Sequence, residues 1–189
     1  SDIYTETMSP QEQIKKAVEL FSPVKDKILG VVNGNHERRI SKVAGIDITE
    51  VMADRLGVWY AGDEVFIKLR FGRKPNKKPV AYTIYSTHGF GSGRTVGSKV
   101  NNLQKLSDIV LADLYIASHT HFMTAHQDIY LVPDTRNNNI MKVKRTFVSS
   151  GAFLDRGRGY GVQKGYPACK LGSPRIRLDG TRRDCHVSI

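Results

Sequence analysis

Three short stretches of the chain contain side chains that bind metals or transfer protons: Gly34-Asn35-His36-Glu37, His88 and Ser118-His119-Thr120-His121. Imidazole nitrogens and an amide oxygen are ligands suited to divalent ions such as Zn, Mn or Fe. The two cysteines, Cys169 and Cys185, have no ligand-like spacing, which argues against a thiolate site. The residue types therefore indicate a metal site built from histidines and an amide.

Each stretch follows an apolar run with the length and composition of a buried strand, and we predict these strands at 27–33, 80–87 and 114–117. Parallel strands in one sheet bring their carboxyl ends to a common edge, so side chains far apart in sequence can meet there. His119 and His121 are two residues apart, which is the period of a strand, so both are expected to point the same way.

Taken singly, each stretch has a structural explanation. A lone His88 can be a hydrogen-bonded surface residue, and a His-x-His pair arises by chance. Gly34-Asn35-His36-Glu37 can be a turn followed by a helix cap, since Asn and Gly favour such positions. The occurrence of all three after apolar strands favours a metal site.

The remaining elements predict an α/β fold. Capping and periodicity indicate helices from Ser9-Pro10 to about Ser22, from inside the motif through Arg39 and Ile40, over 48–56, and over about 97–109. Alternation indicates strands over 65–71, 129–132, 141–148 and 175–178, the middle two forming a hairpin. We expect a single domain over 1–189 with a loop-rich segment at 154–189.

In their order, these motifs resemble the calcineurin-like metallophosphoesterase superfamily. Gly34-Asn35-His36-Glu37, His88 and Ser118-His119-Thr120-His121 match three of its motifs, and Val148-Ser149-Ser150-Gly151-Ala152 resembles its small-residue segment. The resemblance covers roughly residues 27–153. Together with the strand pattern it implies two mixed β-sheets packed as a sandwich and flanked by helices. It also implies a hydrolase of phosphoesters: a phosphatase, phosphodiesterase or nuclease.

The resemblance also implies roles for individual residues. Two divalent ions (Mn, Fe or Zn) would activate a water molecule to attack phosphorus. Asn35, His88 and His119 would hold one ion, and His121 would help to hold the other. His36 would face the leaving group, with Glu37 orienting it.

Three arginines near these motifs are candidates to neutralise phosphate charge: Arg94, Arg38 and Arg39. The alternative, that they are solvated surface residues, stays open. Glycines 89, 91 and 93 either allow the backbone to approach a phosphate or simply make a flexible loop.

The chain departs from the family in one respect. No Asp-x-His and no Gly-Asp motif precede Gly34, and Gly62-Asp63 comes too late in the order to replace them. Either this is the C-terminal part of a longer protein, or it is a variant that has lost part of the site. In both cases we expect at most one weakly bound metal and poor hydrolysis. Missing strands would expose a sheet edge, favouring partial disorder or self-association.

The net charge of +11 favours polyanionic or phosphate-bearing partners, although it also serves solubility. The partner is therefore a phosphoester that is either a nucleic acid, a nucleotide or a smaller molecule. An alternative function is a non-catalytic nucleic-acid-binding or interaction module with a degenerate metal site. No apolar run reaches the roughly 20 residues of a membrane span. Two cysteines make no disulfide framework, which indicates free thiols and the cytoplasm, although a single disulfide stays open.

Overall fold

The computed structural model describes residues 8–72, 79–154, 162 and 165–189. The chain divides into two compact units, Ser1–Val65 with Leu154–Ala168, and Phe66–Phe153 with Cys169–Ile189. The expectation of a single domain stays a prediction. Several of the basic residues behind the net charge lie outside the described residues, among them Arg73, Lys74, Lys77, Lys78, Arg156 and Arg158.

The helices of the first unit are those that the sequence predicts. Helix α1 (Pro10–Phe21) begins at a capping box in which Glu12 N donates to Ser9 Oγ (3.3 Å) and Ser9 N donates to Glu12 Oε2 (2.7 Å). Helix α2 (Asn35–Ala44) begins inside the Gly-Asn-His-Glu motif. Helix α3 (Ile48–Leu56) ends at Gly57, whose positive φ of 68° suits a glycine.

The strand predicted over 27–33 is wrong. A 3-10 helix (Ser22–Lys27) ends just before the apolar run, and within that run only Val31 forms an isolated parallel bridge, to Tyr60. Val31 N donates to Trp59 O (2.9 Å) and Ala61 N donates to Val31 O (2.9 Å). Leu29 is 54% exposed, so the run is a partly solvated extended segment and not a strand of the main sheet.

A mixed sheet has the strand order β1-β2-β3-β5-β4. Its strands are β1 (Glu64–Phe71), β2 (Val80–Thr87), β3 (Leu114–Ala117), β4 (Met123–Asp134) and β5 (Asn139–Ser150). β2 pairs with β3 and β3 with β5 in parallel, while β4 and β5 form the predicted antiparallel hairpin, longer than expected. β2 and β3 have the predicted bounds.

Each face of the sheet in the second unit carries an apolar cluster. On one face, helix α4 (Val96–Gln104) and a 3-10 turn (Lys105–Asp108) contribute to a core with side chains of β2, β3 and β5: Tyr85, Leu103, Leu106, Tyr115 and Phe147. The single helix predicted over 97–109 is therefore confirmed in part. On the other face, Ile84, Leu114 and Val148 form a second cluster.

That second cluster includes a two-stranded antiparallel sheet, made of β6 (Arg175–Leu178) and β7 (Cys185–Ser188). Strand β6 is predicted by the sequence and β7 is not. The connection between them surrounds the hydroxyl of Tyr82, which lies 2.7–2.9 Å from the carbonyl oxygens of Asp179, Arg182 and Asp184. Part of the predicted loop-rich segment is thus regular structure.

The α/β class is confirmed, with one five-stranded mixed sheet, one two-stranded sheet and helices. Among the described residues, no helix combines the length and apolar character needed to cross a membrane. Cys169 and Cys185 are free thiols, as expected, and Cys185 is buried.

Candidate metal centre

His88 and His119 lie side by side at the carboxyl ends of β2 and β3. The two strands are parallel neighbours, with Ser86 opposite Ile116, so the residues that follow them leave the same edge of the sheet. Ser118 N donates to His88 O (3.0 Å), which extends the pairing beyond the strands. His88 Nε2 then lies 3.2 Å from His119 Nδ1, with the rings at 70°. The predicted convergence of these two strand ends is confirmed.

The separation of these nitrogens fits a shared metal ion. Two imidazole nitrogens bound to one tetrahedral Zn²⁺ at about 2.0–2.1 Å lie about 3.3 Å apart. Without an ion, one ring nitrogen donates a hydrogen bond to the other, and the tautomers of the two rings determine which nitrogen is the donor. If neither facing nitrogen carried a hydrogen, a metal ion could lie between them in the place of the shared hydrogen. The pair thus suits a borderline divalent cation.

The third histidine, His121, lies with His119 in a tight turn, so the strand argument for this pair is wrong. Strand β3 ends at Ala117, and both histidines have left-handed backbones, with φ of 57° at His119 and 51° at His121. Thr120 N donates to Ser118 O (2.6 Å) between them. Histidine tolerates this region better than most residues, but two such residues in one turn still store strain.

Hydroxyl groups from the end of β5 hold this turn in place. Ser118 Oγ lies 2.8 Å from Ser150 Oγ, and Thr120 Oγ1 lies 3.4 Å from Ser149 Oγ. The hydroxyl of Ser118 makes one of these contacts. The small residues at the end of β5 therefore position the histidine turn.

The glycine-rich loop after His88 is closely packed. At Gly89, with φ of 93°, an added Cβ would lie 3.3 Å from Ala117 Cβ. A Cβ at Gly91 would lie 2.0 Å from the side chain of Asn102, and one at Gly93 equally close to that of Ser98. Gly91 and Gly93 thus lie against side chains of helix α4, and Gly89 lies against Ala117 of β3, so close packing can account for these glycines without a phosphate.

Arg94, which closes this loop, has an exposed side chain and forms no ion pair with any described residue. Its guanidinium is therefore available to a ligand. This agrees equally with a phosphate-binding role and with a solvated surface residue.

The other sequence-predicted residues belong to the first unit. Gly34 caps helix α2 with an extended backbone, so Asn35, His36 and Glu37 occupy its first turn. His36 is exposed and Glu37 half-buried, and within the described structure no hydrogen bond joins their side chains. Glu37 instead suits the positive end of the helix dipole.

Two of the three candidate arginines also lie on α2. Arg38 pairs with Asp63 (2.5 Å) across two partly exposed side chains, so its charge is already partly balanced. Arg39 is exposed, and the described residues offer it no ion pair. Arg38 is therefore the weaker candidate for a phosphate contact.

A buried polar network that sequence reasoning missed lies directly before the motif. Asn33 is 3% exposed; its Nδ2 donates to Asp47 Oδ2 (2.8 Å), and its Oδ1 accepts from Thr49 Oγ1 (2.9 Å). Tyr60 Oη donates to the same Asp47 oxygen (2.6 Å), and this bond raises the pKa of Tyr60 to about 12. Asp47 also caps α3 by accepting from Thr49 N (3.0 Å). The one available signal was the N-cap pattern at Asp47.

Of the four candidate ligands, His88, His119 and His121 lie in the second unit and Asn35 in the first. Over the described residues, no group of three or more His, Cys, Asp and Glu side chains is arranged to hold a metal. Comparison of the chain with protein-family models, with curated proteins and with solved structures found no match.

Proposed function

We propose that this protein is a metal-dependent phosphoester hydrolase related to the calcineurin-like metallophosphoesterases. The observation that supports it is the pair of facing nitrogens of His88 and His119, 3.2 Å apart at adjacent parallel strand ends. The proposal includes a sandwich of the two sheets, for which the cluster shared by β6, β7 and the main sheet is the support. It also includes a cytoplasmic setting.

In this proposal His88 and His119 hold a divalent ion, with Asn35 and His121 as further ligands, and a complete site holds two ions (Mn, Fe or Zn). A bound ion would activate water and offset the charge that develops on phosphorus. His36, exposed in the first turn of α2, contacts the phosphate or gives a proton to the leaving group.

Charge on the phosphate would be balanced by arginines. Arg94 and Arg39 are exposed and have no described ion pair, whereas Arg38 would have to leave Asp63. This proposal therefore ranks Arg94 and Arg39 before Arg38 as phosphate contacts.

Metal binding by the chain itself tests the central step. Isothermal titration with Zn²⁺ or Mn²⁺ should show one weak site, and His88→Ala or His119→Ala should each abolish it, because each removes one of two facing ligands. His186→Ala is the matched control, since His186 is exposed on β7 away from the pair. Binding that survives both substitutions, or no binding at all, would contradict the proposal.

Activity is a separate measurement. Slow Mn²⁺-dependent hydrolysis of bis-p-nitrophenyl phosphate, lost in His36→Ala but not in His186→Ala, would support the catalytic role. Hydrolysis unaffected by His36→Ala would remove that residue from the mechanism.

A second candidate is a non-catalytic nucleic-acid-binding module. The net charge of +11 favours it, together with the closeness of His88 and His119, whose direct hydrogen bond needs no metal. Binding of nucleic acid without metal affinity would support this candidate over the first.

A further inference from the structure

Strand β1 lies at an edge of the main sheet and has two chemically different faces. Ile67 and Leu69 join the apolar cluster that also contains Ile176 and Leu178 of β6. Because successive side chains of a strand point to opposite faces, Phe66, Lys68 and Arg70 lie on the side of β1 away from that cluster. We call these three residues the β1 outer row.

The β1 outer row is open to solvent. Phe66 is 49% exposed, and Lys68 and Arg70 are both exposed. Neither cation forms an ion pair with a described residue. Glu64 continues the row at its other end, so the positive residues of the row are Lys68 and Arg70. A large aromatic left half exposed beside two unneutralised cations is not explained by packing.

We propose that the β1 outer row binds single-stranded nucleic acid, with a base stacked on Phe66 and backbone phosphates held by Lys68 and Arg70. Aromatic side chains stack on any base, and cations nearby follow the backbone, which is how sequence-independent single-strand sites are built. Side chains two apart on a strand lie about 6.6 Å from each other, so the row spans about 13 Å. That length accommodates a short run of nucleotides of an extended strand.

A second basic surface in the same unit lacks a phenyl ring. Arg175 and Arg177 are exposed on β6, on the side away from the same apolar cluster, with His186 opposite Arg177. This surface can attract polyanions by charge, and it offers the smaller imidazole ring of His186 in place of a phenyl ring. The two surfaces lie on opposite sides of one layered structure and therefore provide a matched comparison.

The proposal does not depend on hydrolysis, and its test is made with a chelator present. The probe is a fluorescent oligo-dT of fifteen nucleotides, whose anisotropy gives the Kd over a series of salt concentrations. Lys68→Gln/Arg70→Gln should weaken binding and reduce the slope of log K against log salt by about 1.4, since each single-strand phosphate contact contributes about 0.7. Phe66→Ala should weaken binding at least about fivefold with the slope unchanged.

The controls separate this site from general charge. Arg175→Gln/Arg177→Gln removes the same charge from the opposite surface and should leave most of the affinity, while Phe66→Trp should restore what Phe66→Ala loses. Equal losses from the two double substitutions, or no loss in Phe66→Ala, would overturn the proposal. Stronger binding to phosphatidylserine vesicles than to oligo-dT, with the same dependence on Phe66, would overturn it in favour of a membrane surface. Unchanged binding of oligo-dT by His88→Ala/His119→Ala would show that this site is independent of the metal centre.

Discussion

Replacing Asn33 by alanine should destabilise the first unit, because this side chain links three elements around the Gly-Asn-His-Glu motif. Asn33 is 3% exposed, so water cannot replace the partners it loses. Its amide donates to Asp47 Oδ2 at 2.8 Å and its carbonyl accepts from Thr49 Oγ1 at 2.9 Å. The substitution removes both bonds and leaves a void beside a carboxylate.

The size of the effect follows from the two bonds. A bond between neutral groups contributes about 0.5–1.5 kcal/mol and one to a charged group about 1.5–3 kcal/mol, so Asn33→Ala should cost about 2–4.5 kcal/mol. Thr49→Val removes only the weaker bond and should cost about 1 kcal/mol. When Asn33→Ala and Thr49→Val are combined, the loss of unfolding free energy should be smaller than the sum of the two single losses, because both substitutions delete the same Asn33–Thr49 bond.

The single tryptophan of the chain makes the measurement specific to this unit. Trp59 is next to Tyr60 in the network, and its ring lies 3.1 Å from a Cβ placed on Gly30. Urea unfolding followed by Trp59 fluorescence therefore reports the network directly, and the shift in midpoint multiplied by the slope gives the change in free energy.

A change of less than about 1 kcal/mol in Asn33→Ala, which is below the cost of one charged hydrogen bond, would refute the reasoning. Asn101→Ala is the matched control. Asn101 is exposed on helix α4, where alanine is the better helix former, and its replacement should not lower the Trp59 midpoint.

Two further predictions concern the network and the metal centre. The bond to Asp47 raises the pKa of Tyr60 from 10.0 to about 12, so the unfolded chain loses this proton first. Stability should therefore fall as the pH rises from about 10 towards 12, and Tyr60→Phe should remove that part of the fall in Trp59 unfolding curves; identical pH profiles would contradict this. Gly89→Ala should cost about 1–3 kcal/mol because of its φ of 93° and its contact with Ala117, and should weaken metal binding in the same titration as above. Gly97→Ala, in a helix with nothing within 4 Å of the new Cβ, should instead be neutral or stabilising, and equal effects of the two changes would contradict the strain argument.

Elements decided by local signals could be predicted from the sequence. Helix α3 has an N-cap aspartate at one end and Gly57 at the other, and β2 has an alternating pattern between turn residues, so both were predicted at their observed bounds. The meeting of His88 and His119 also followed, because it needs only that β2 and β3 be parallel neighbours.

What could not be predicted depends on partners that are distant in sequence. The apolar run before Asn33 has the composition of a buried strand, yet its partner is the short segment around Tyr60, so it forms a single bridge. Strand β7 exists because Val187 pairs with Ile176 and reaches the apolar cluster of the main sheet, and nothing local in its four residues indicates that.

The turn that holds His119 and His121 shows why the His-x-His spacing gave the wrong local structure. Two left-handed non-glycine residues cost about 1–3 kcal/mol each, so such a turn persists only where the surrounding contacts determine it. The hydroxyl contacts from Ser149 and Ser150 help to fix the conformation of the turn. The hydrogen bond from Ser118 N to His88 O also helps to fix it. These contacts direct the His119 ring towards His88. In a continued strand, the alternation of side chains between the two faces would have fixed the direction of the ring instead. This conformation is costly in itself and is held by contacts from β5 and from the residue after β2. Because backbone strain of this kind persists only where the surrounding structure determines it, the turn is the feature that most directly motivates the proposed metal site and its test by titration.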